Sequence, residues 1–117
     1  MNYVEHTDLA QWIREKRKVF IVDVRDEDFG PEKIKNAVNF PSESFDQSAC
    51  KSLLEMLEKV ENVVFHCALS KQRGPFCANT FTEFLVENNN KEVKVFVLRG
   101  GFEQWKRHYI NDPNFID

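Results

Sequence analysis

The sequence predicts an α/β fold in which helices cover both faces of a central parallel sheet. Short apolar runs at residues 19–24, 62–65 and 93–98 have the composition of buried strands. Segments with apolar residues at helical spacing separate these runs, and this alternation requires crossover connections between parallel strands. With 117 residues, the chain is long enough for one core and too short for two. We therefore expect a single domain.

The first half of the chain should supply two helices and two strands. Thr7 is predicted to cap a helix over residues 8–18, and a buried strand follows at residues 19–24. Residues 25–36 form a polar loop, whose acidic cluster we interpret as solvated surface. A short strand at residues 37–40 precedes the second helix, at residues 48–61.

The second half repeats the alternation. A strand at residues 62–65 leads through a loop into a helix at residues 75–86, and a polar turn at 87–91 precedes the last strand, at residues 93–98. Gly100 and Gly101 then turn the chain into a short helix. We assign residues 1–117 to one domain with its core at about residues 6–109 and a C-terminal tail at residues 110–117.

Composition excludes several classes of partner. A net charge of -3 and a pI near 5.6 argue against nucleic-acid binding. No apolar run reaches membrane-spanning length, and the first residues lack the layout of a signal peptide. Three cysteines, an odd number, fit a reducing compartment. We expect an intracellular protein, cytoplasmic or nuclear, with no nucleic-acid or membrane partner.

The loop between Cys67 and Arg73 has the properties of an anion site. It follows the carboxyl end of a predicted parallel strand, where ligands bind in such sheets. The helix that begins near Pro75 presents unpaired N–H groups and a partial positive charge at its N-terminus. Successive loop amides can surround an anion, and the guanidinium of Arg73 can bind two of its oxygens. A tetrahedral oxyanion fits this arrangement without a metal.

Cys67 stands within that positive field, which favours the thiolate form and hence a nucleophile. A lone cysteine is more often inert and buried, but the arginine and helix behind it favour function here. His66 either tunes Cys67 or is a satisfied polar group at the strand end. Ser70 either donates its hydroxyl to the thiolate or stabilises the loop. Cys50 and Cys77 lie on apolar helix faces and are predicted core residues.

Three ordered motifs carry a family resemblance. The loop sequence His-Cys-Ala-Leu-Ser-Lys-Gln-Arg-Gly-Pro, from His66 to Pro75, resembles the phosphate-binding loop of cysteine-dependent phosphatases. More narrowly, it resembles the rhodanese-fold branch, which includes the cell-division-cycle dual-specificity phosphatases and the eukaryotic arsenate reductases. Residues 20–41 look like the opening strand, Asp-x-Arg and Asn-hydrophobe-Pro of the rhodanese domain, and residues 97–105 look like its closing glycine turn. The resemblance covers roughly residues 6 to 109.

The resemblance implies a rhodanese-like domain with Cys67 as nucleophile and Arg73 as oxyanion ligand. It also implies that backbone amides bind the phosphate, those of Ala68, Leu69, Ser70, Lys71, Gln72 and Arg73. The leading hypothesis is a phosphatase acting on phosphotyrosine-type monoesters, with no cofactor. The main alternative is arsenate reduction with glutathione and glutaredoxin as reductants. Sulfur transfer through a persulfide and a non-catalytic binding domain are further alternatives.

Some positions depart from the family pattern. Val24 stands where cell-cycle phosphatases have a cysteine able to pair with the nucleophile, so that redox protection should be missing. The loop between Cys67 and Arg73 contains no acidic residue, which leaves the general acid unidentified. Lys33 replaces the histidine of the usual Gly-His-Ile, a change expected in a surface turn. Asp23 and Arg25 are expected to form a structural pair.

Overall fold

A computed structural model describes residues 2–117 and confirms the predicted α/β fold with its parallel sheet. In chain order the elements are β1 Tyr3–Val4, α1 His6–Arg14, β2 Val19–Asp23, β3 Val38–Asn39, α2 Gln47–Leu57, β4 Asn62–His66, α3 Arg73–Glu87, β5 Lys94–Leu98 and α4 Gly101–Tyr109. A single 3-10 turn at Ser42–Ser44 joins β3 to α2. Across the described residues, no helix is long and apolar enough to cross a membrane.

The strand order is β1-β5-β4-β2-β3, and all pairs are parallel. β4 lies in the middle, with Val64 paired to Ile21 of β2 on one side and to Phe96 of β5 on the other. The loop after β4 therefore opens at the centre of the sheet's carboxyl edge, where neighbouring connections can reach it from both sides.

Each face of the sheet packs against two helices. On one face α2 and α3 cover the sheet, and their shared core includes Phe65, Cys67, Leu53, Cys77 and Phe81. On the other face α1 and α4 form a second core around Val64, Leu9, Phe102 and Trp105. Because side chains alternate along a strand, the successive residues of β4 belong to opposite cores. This alternation also separates His66 from the side chain of Cys67.

The start of α1 differs from the prediction. The helix begins at His6, and Glu5 is its N-cap, so the prediction that Thr7 caps it is wrong. Glu5 forms a capping box with Asp8, in which the Glu5 N–H donates to Asp8 Oδ2 at 3.0 Å. The helix also ends at Arg14, four residues early, because the chain takes a left-handed turn at Lys16, with φ of 56°.

The C-terminal residues, predicted to be a tail, are packed against the domain. Phe115 is buried, and its carbonyl accepts a hydrogen bond from the Trp105 indole at 2.9 Å. Ile116 pairs with Ile34 in an antiparallel bridge. Asp117 binds Lys33 at 2.8 Å, and this hydrogen bond holds the pKa of its carboxyl well below the usual range. The apolar residues of this predicted tail therefore complete the second core.

Candidate active site

The first turn of α4 holds the start of the loop that follows β4. The carbonyl of Cys67 accepts a hydrogen bond from the Phe102 N–H at 2.9 Å, and that of Ala68 accepts one from the Glu103 N–H at 2.9 Å. Both carbonyls are thereby tied to α4. The glycine turn that closes the predicted domain is thus the support on which the loop rests.

The loop wraps around the sulfur of Cys67. The N–H groups of Ser70 and Gly74 donate to its Sγ at 3.2 and 3.4 Å. Ser70 has a left-handed backbone, with φ of 56°, and its Oγ accepts the Cys67 N–H at 3.4 Å. Hydrogen bonds from backbone amides stabilise a negatively charged acceptor more than a neutral one. Two backbone amides therefore point at the sulfur of Cys67, and Ser70 supports the loop through both its amide and its hydroxyl.

Further amides around the loop are available to a ligand. The N–H groups of Ala68, Leu69, Lys71 and Gln72 donate to no other group among residues 2–117. These residues, together with Cys67 and Arg73, line a cleft of about 340 Å³. The cleft lies at the N-terminus of α3, a 15-residue helix whose end carries partial positive charge. This is a favourable environment for a small oxyanion.

Arg73 lines the same cleft, and two carboxylates hold its guanidinium. Its Nη1 and Nη2 donate to Asp28 Oδ1 and Oδ2 at 2.8 and 2.7 Å, and Nη1 also lies 3.3 Å from Asp26 Oδ2. The hydrogen bond from Arg73 lowers the pKa of Asp28, and the same bond raises the pKa of Arg73. The interpretation of this acidic cluster as solvated surface holds for Glu27, which is exposed, but it missed that Asp26 and Asp28 both bind the arginine.

Two further hydrogen bonds fix the carboxylate of Asp26. Ser42 Oγ donates to Asp26 Oδ2 at 2.6 Å, and the Glu43 N–H donates to Oδ1 at 3.0 Å. Burial raises the pKa of Asp26, but these hydrogen bonds and Arg73 outweigh it and lower the pKa overall. The 3-10 turn after Pro41 thus anchors Asp26, one of the two acids that hold Arg73.

Asp23 and Arg25 form the expected buried pair beneath the site. Arg25 Nη2 lies 2.7 Å from Asp23 Oδ2, and its Nε also donates to the same carboxylate at 3.0 Å. Asn39 Nδ2 donates to the carbonyls of both residues, at 2.8 and 2.9 Å. The motifs Asp-x-Arg and Asn-hydrophobe-Pro are therefore two halves of one scaffold, which shapes the chain just before Asp26.

His66 lies on the face of the sheet opposite the side chain of Cys67. Its ring is fully buried and stacks on Phe102, with the ring centroids 6.4 Å apart. Nδ1 lies 3.1 Å from the Cys67 carbonyl, and Nε2 is 3.7 Å from Asp23 Oδ2, too long for a hydrogen bond. Burial lowers the pKa of the ring, which favours neutral histidine. Any influence on the sulfur must pass through the backbone carbonyl, since the ring lies on the other face.

Cys50 and Cys77 are core residues, as the sequence predicts. Both side chains are buried, and burial raises the pKa of Cys50 to about 11 and that of Cys77 to about 12. They are therefore thiols at neutral pH.

Two apolar side chains, one in the loop and one on the first turn of α3, are exposed where the sequence analysis assigned no role to the side chain. Leu69 is 51% exposed and lines the cleft, and Phe76 is 65% exposed on the first turn of α3. The exposed side chain of Leu69 in the cleft lining favours contact with an apolar ligand group. Leu69 stands out in the sequence as an apolar residue inside a polar loop, but nothing in the sequence indicated that its side chain is exposed.

Comparisons with known proteins agree with this architecture. Residues 5–108 match the rhodanese-like domain family. The dual specificity phosphatase ibp1 of Schizosaccharomyces pombe is 30% identical over 100% of this chain and 96% of its own length. Arsenate reductase 2.1 of rice is 36% identical over 91% of this chain and 68% of its own length. A solved yeast protein tyrosine phosphatase of the rhodanese family superposes with a TM-score of 0.87 at 29% identity, covering 98% of this chain and 90% of that one.

The fold and the site together define a class of protein: an α/β domain with a cysteine-to-arginine loop at the centre of the carboxyl edge of its parallel sheet. The chain belongs to the rhodanese-like family. The resemblance to the phosphatase and arsenate reductase branch is confirmed, because relatives that bear both names match nearly the whole chain.

Proposed function

We propose that this chain is a cysteine-dependent phosphatase that hydrolyses phosphotyrosine-type monoesters. The observation that carries the proposal is the cup around Cys67: two amides on its sulfur, four further unpaired amides among the described residues, and Arg73 in the same cleft. Relatives named as dual specificity and protein tyrosine phosphatases support it.

The chemistry follows from these groups. The Cys67 thiolate attacks phosphorus in line with the leaving oxygen, a sulfur–phosphorus bond forms, and the ester oxygen departs. The loop amides and Arg73 bind the phosphoryl oxygens, whose charge is redistributed in the transition state. Water then attacks phosphorus, which releases inorganic phosphate and restores the thiolate. No metal or cofactor enters this sequence.

The protonation state of the two carboxylates at the site indicates which class of phosphate ester can react. Asp26 and Asp28 both have a lowered pKa, so at neutral pH neither carries a proton for the leaving oxygen. A phenol, with a pKa of about 10, leaves without protonation far more readily than an aliphatic alcohol. Leu69, exposed in the cleft lining, and Phe76, exposed on the first turn of α3, offer contacts to an aromatic ring. Both features favour aryl phosphates.

Arsenate reduction is the second candidate, favoured by the 36% identity to the rice arsenate reductase. Arsenate has the shape and charge of phosphate and fits the same donors. The Cys67 thiolate would displace water from arsenic. Two electrons would then pass from two thiol sulfurs to arsenic as arsenite leaves and a disulfide forms between Cys67 and glutathione. Glutaredoxin would reduce that disulfide.

One comparison tests these functions. The purified protein is assayed on p-nitrophenyl phosphate, on arsenate with glutathione and glutaredoxin, and on thiosulfate with cyanide. Each assay includes Cys67→Ser and, as a matched control, Cys50→Ser. We expect aryl phosphate turnover that Cys67→Ser lowers by at least about a thousandfold and Cys50→Ser leaves nearly unchanged.

The other outcomes are equally informative. Arsenate-dependent glutathione oxidation without aryl phosphate turnover would replace the first function by the second. Thiocyanate formation alone would indicate sulfur transfer. If Cys67→Ser matches the wild type in all three assays, every catalytic proposal fails, and a non-catalytic binding domain is left.

A further inference from the structure

The carboxylates of Asp26 and Asp28 accept hydrogen bonds from some of the N–H donors of Arg73 and leave the others open. A guanidinium has five N–H donors in a planar fork: one on Nε and two on each terminal nitrogen. Asp28 Oδ1 accepts a hydrogen bond from Nη1, and Asp28 Oδ2 accepts one from Nη2. Asp26 Oδ2 accepts a further hydrogen bond from Nη1 at 3.3 Å. The Nε–H of Arg73 donates to no group in residues 2–117. The edge formed by Nε and Nη2 is therefore left for a ligand.

That edge is itself a two-pronged donor suited to two oxyanion oxygens. Arg73 is one of the residues that line the cleft beside Cys67, so these open donors belong to a residue of the proposed anion site. A flexible arginine would otherwise lose considerable rotamer freedom when it binds a ligand. Two carboxylates that fix the guanidinium beforehand reduce that loss.

The acids are well placed for this task because they are fixed themselves. Asp26 is bound by Ser42 and by the Glu43 amide, and the Asp26 N–H donates to Asp28 Oδ1 at 2.9 Å. Three segments of chain, residues 26–28, 42–43 and 73, thus form one connected network. The loop itself contains no acidic residue, so this support reaches Arg73 from another connection of the sheet.

We propose that Asp26 and Asp28 are positioning residues that orient Arg73 so that its Nε and Nη2 donors bind the oxyanion. The proposal rests on the proposed function, because it assigns a role within the same anion site. The positioning role and the charge of the acids predict opposite effects on anion binding. Removing a negative charge beside an anion site should tighten anion binding, whereas removing a positioning group should weaken it.

The test uses Asp28→Asn, which removes the charge and one of the two acceptor oxygens. Glu27→Gln is the matched control, since Glu27 is exposed in the same segment and forms no ion pair with the described residues. Asp28→Glu is the conservative variant that keeps the carboxylate. Binding is measured as protection of Cys67 from iodoacetamide by inorganic phosphate, and catalysis as kcat/KM for p-nitrophenyl phosphate. Thermal unfolding checks the fold, and the Asp28 side chain is 41% exposed, so little stability should be lost.

We expect Asp28→Asn to weaken phosphate protection by about tenfold and to lower kcat/KM by about tenfold to a hundredfold, with alkylation in the absence of phosphate unchanged. Glu27→Gln should leave binding equal or slightly tighter, and Asp28→Glu should bind better than Asp28→Asn. Phosphate binding by Asp28→Asn that equals or exceeds that of the wild type would overturn the positioning role alone. Absence of phosphate protection in the wild type would instead overturn the proposed anion site, and with it this proposal.

Discussion

Replacing Gly101 by alanine should disrupt the support beneath the loop that follows β4. Gly101 has a φ of 58°, and a Cβ built there would lie 2.5 Å from the Ala68 carbonyl oxygen and 2.6 Å from that of Cys67. These two carbonyls accept the hydrogen bonds that tie the loop to α4. The backbone must shift to admit the methyl group, because carbonyl oxygens on a fixed loop cannot rotate away as a side chain could.

The cost can be worked from these contacts. A left-handed backbone costs alanine about 1–2 kcal/mol. Weakening the two hydrogen bonds adds about 0.5–1.5 kcal/mol for each. The expected loss in the free energy of unfolding is therefore about 2–5 kcal/mol. A loop displaced by about an ångström should also lose on the order of a hundredfold in kcat/KM.

Urea unfolding and p-nitrophenyl phosphate turnover check this prediction. Gly30→Ala is the matched control, because a Cβ at Gly30 has no neighbour within 4 Å. It should change the free energy of unfolding by no more than about 0.5 kcal/mol. If Gly101→Ala were as stable and as active as Gly30→Ala, the argument that α4 supports the loop would be refuted.

Two further predictions concern the scaffold and the thiols. Asp23→Ala leaves the buried Arg25 without its partner, and urea unfolding should show that the free energy of unfolding falls by about 3–5 kcal/mol relative to the wild type. Glu27→Ala, on the surface, should change it little. A loss below about 1 kcal/mol in Asp23→Ala would contradict the assigned role of the pair. At pH 7.5 iodoacetamide should label Cys67 before the other cysteines. Burial raises the pKa of Cys50 to about 11 and that of Cys77 to about 12, so less than about one in a thousand of either side chain is a thiolate. Peptide mass spectrometry that found all three cysteines labelled at similar rates in the folded protein would rule this out.

The parts of the fold that the sequence predicts well are those with strong local patterns. The continuous apolar runs of β2, β4 and β5 and the helical spacing in α2 and α3 identify a parallel sheet covered on both faces. Cys67, Arg73 and the helix behind them are close in sequence. Their convergence in one cleft therefore followed from a single loop, without knowledge of distant contacts.

Outside α1, where the capping box of Glu5 with Asp8 and the turn at Lys16 are local, the misses depend on contacts that the local pattern does not show. β1 is only two residues long and is defined by its pairing with β5, so local pattern gave no signal. Phe115 appeared to lie in a tail because its partner, Trp105, is known only from the packed structure. Likewise, Asp26 and Asp28 looked like surface charge until the fold brought Arg73 to them. Opposite faces of one strand separate His66 from Cys67, a distinction that adjacency in sequence conceals.

The most direct test of the proposed site is a crystal structure of the protein grown with millimolar tungstate, a tetrahedral oxyanion. The anion should lie above Cys67 Sγ, with its oxygens bound by amides from Ala68 to Gln72 and by the Nε and Nη2 donors of Arg73. An empty cleft at saturating tungstate, or tungstate bound only elsewhere on the surface, would contradict the account.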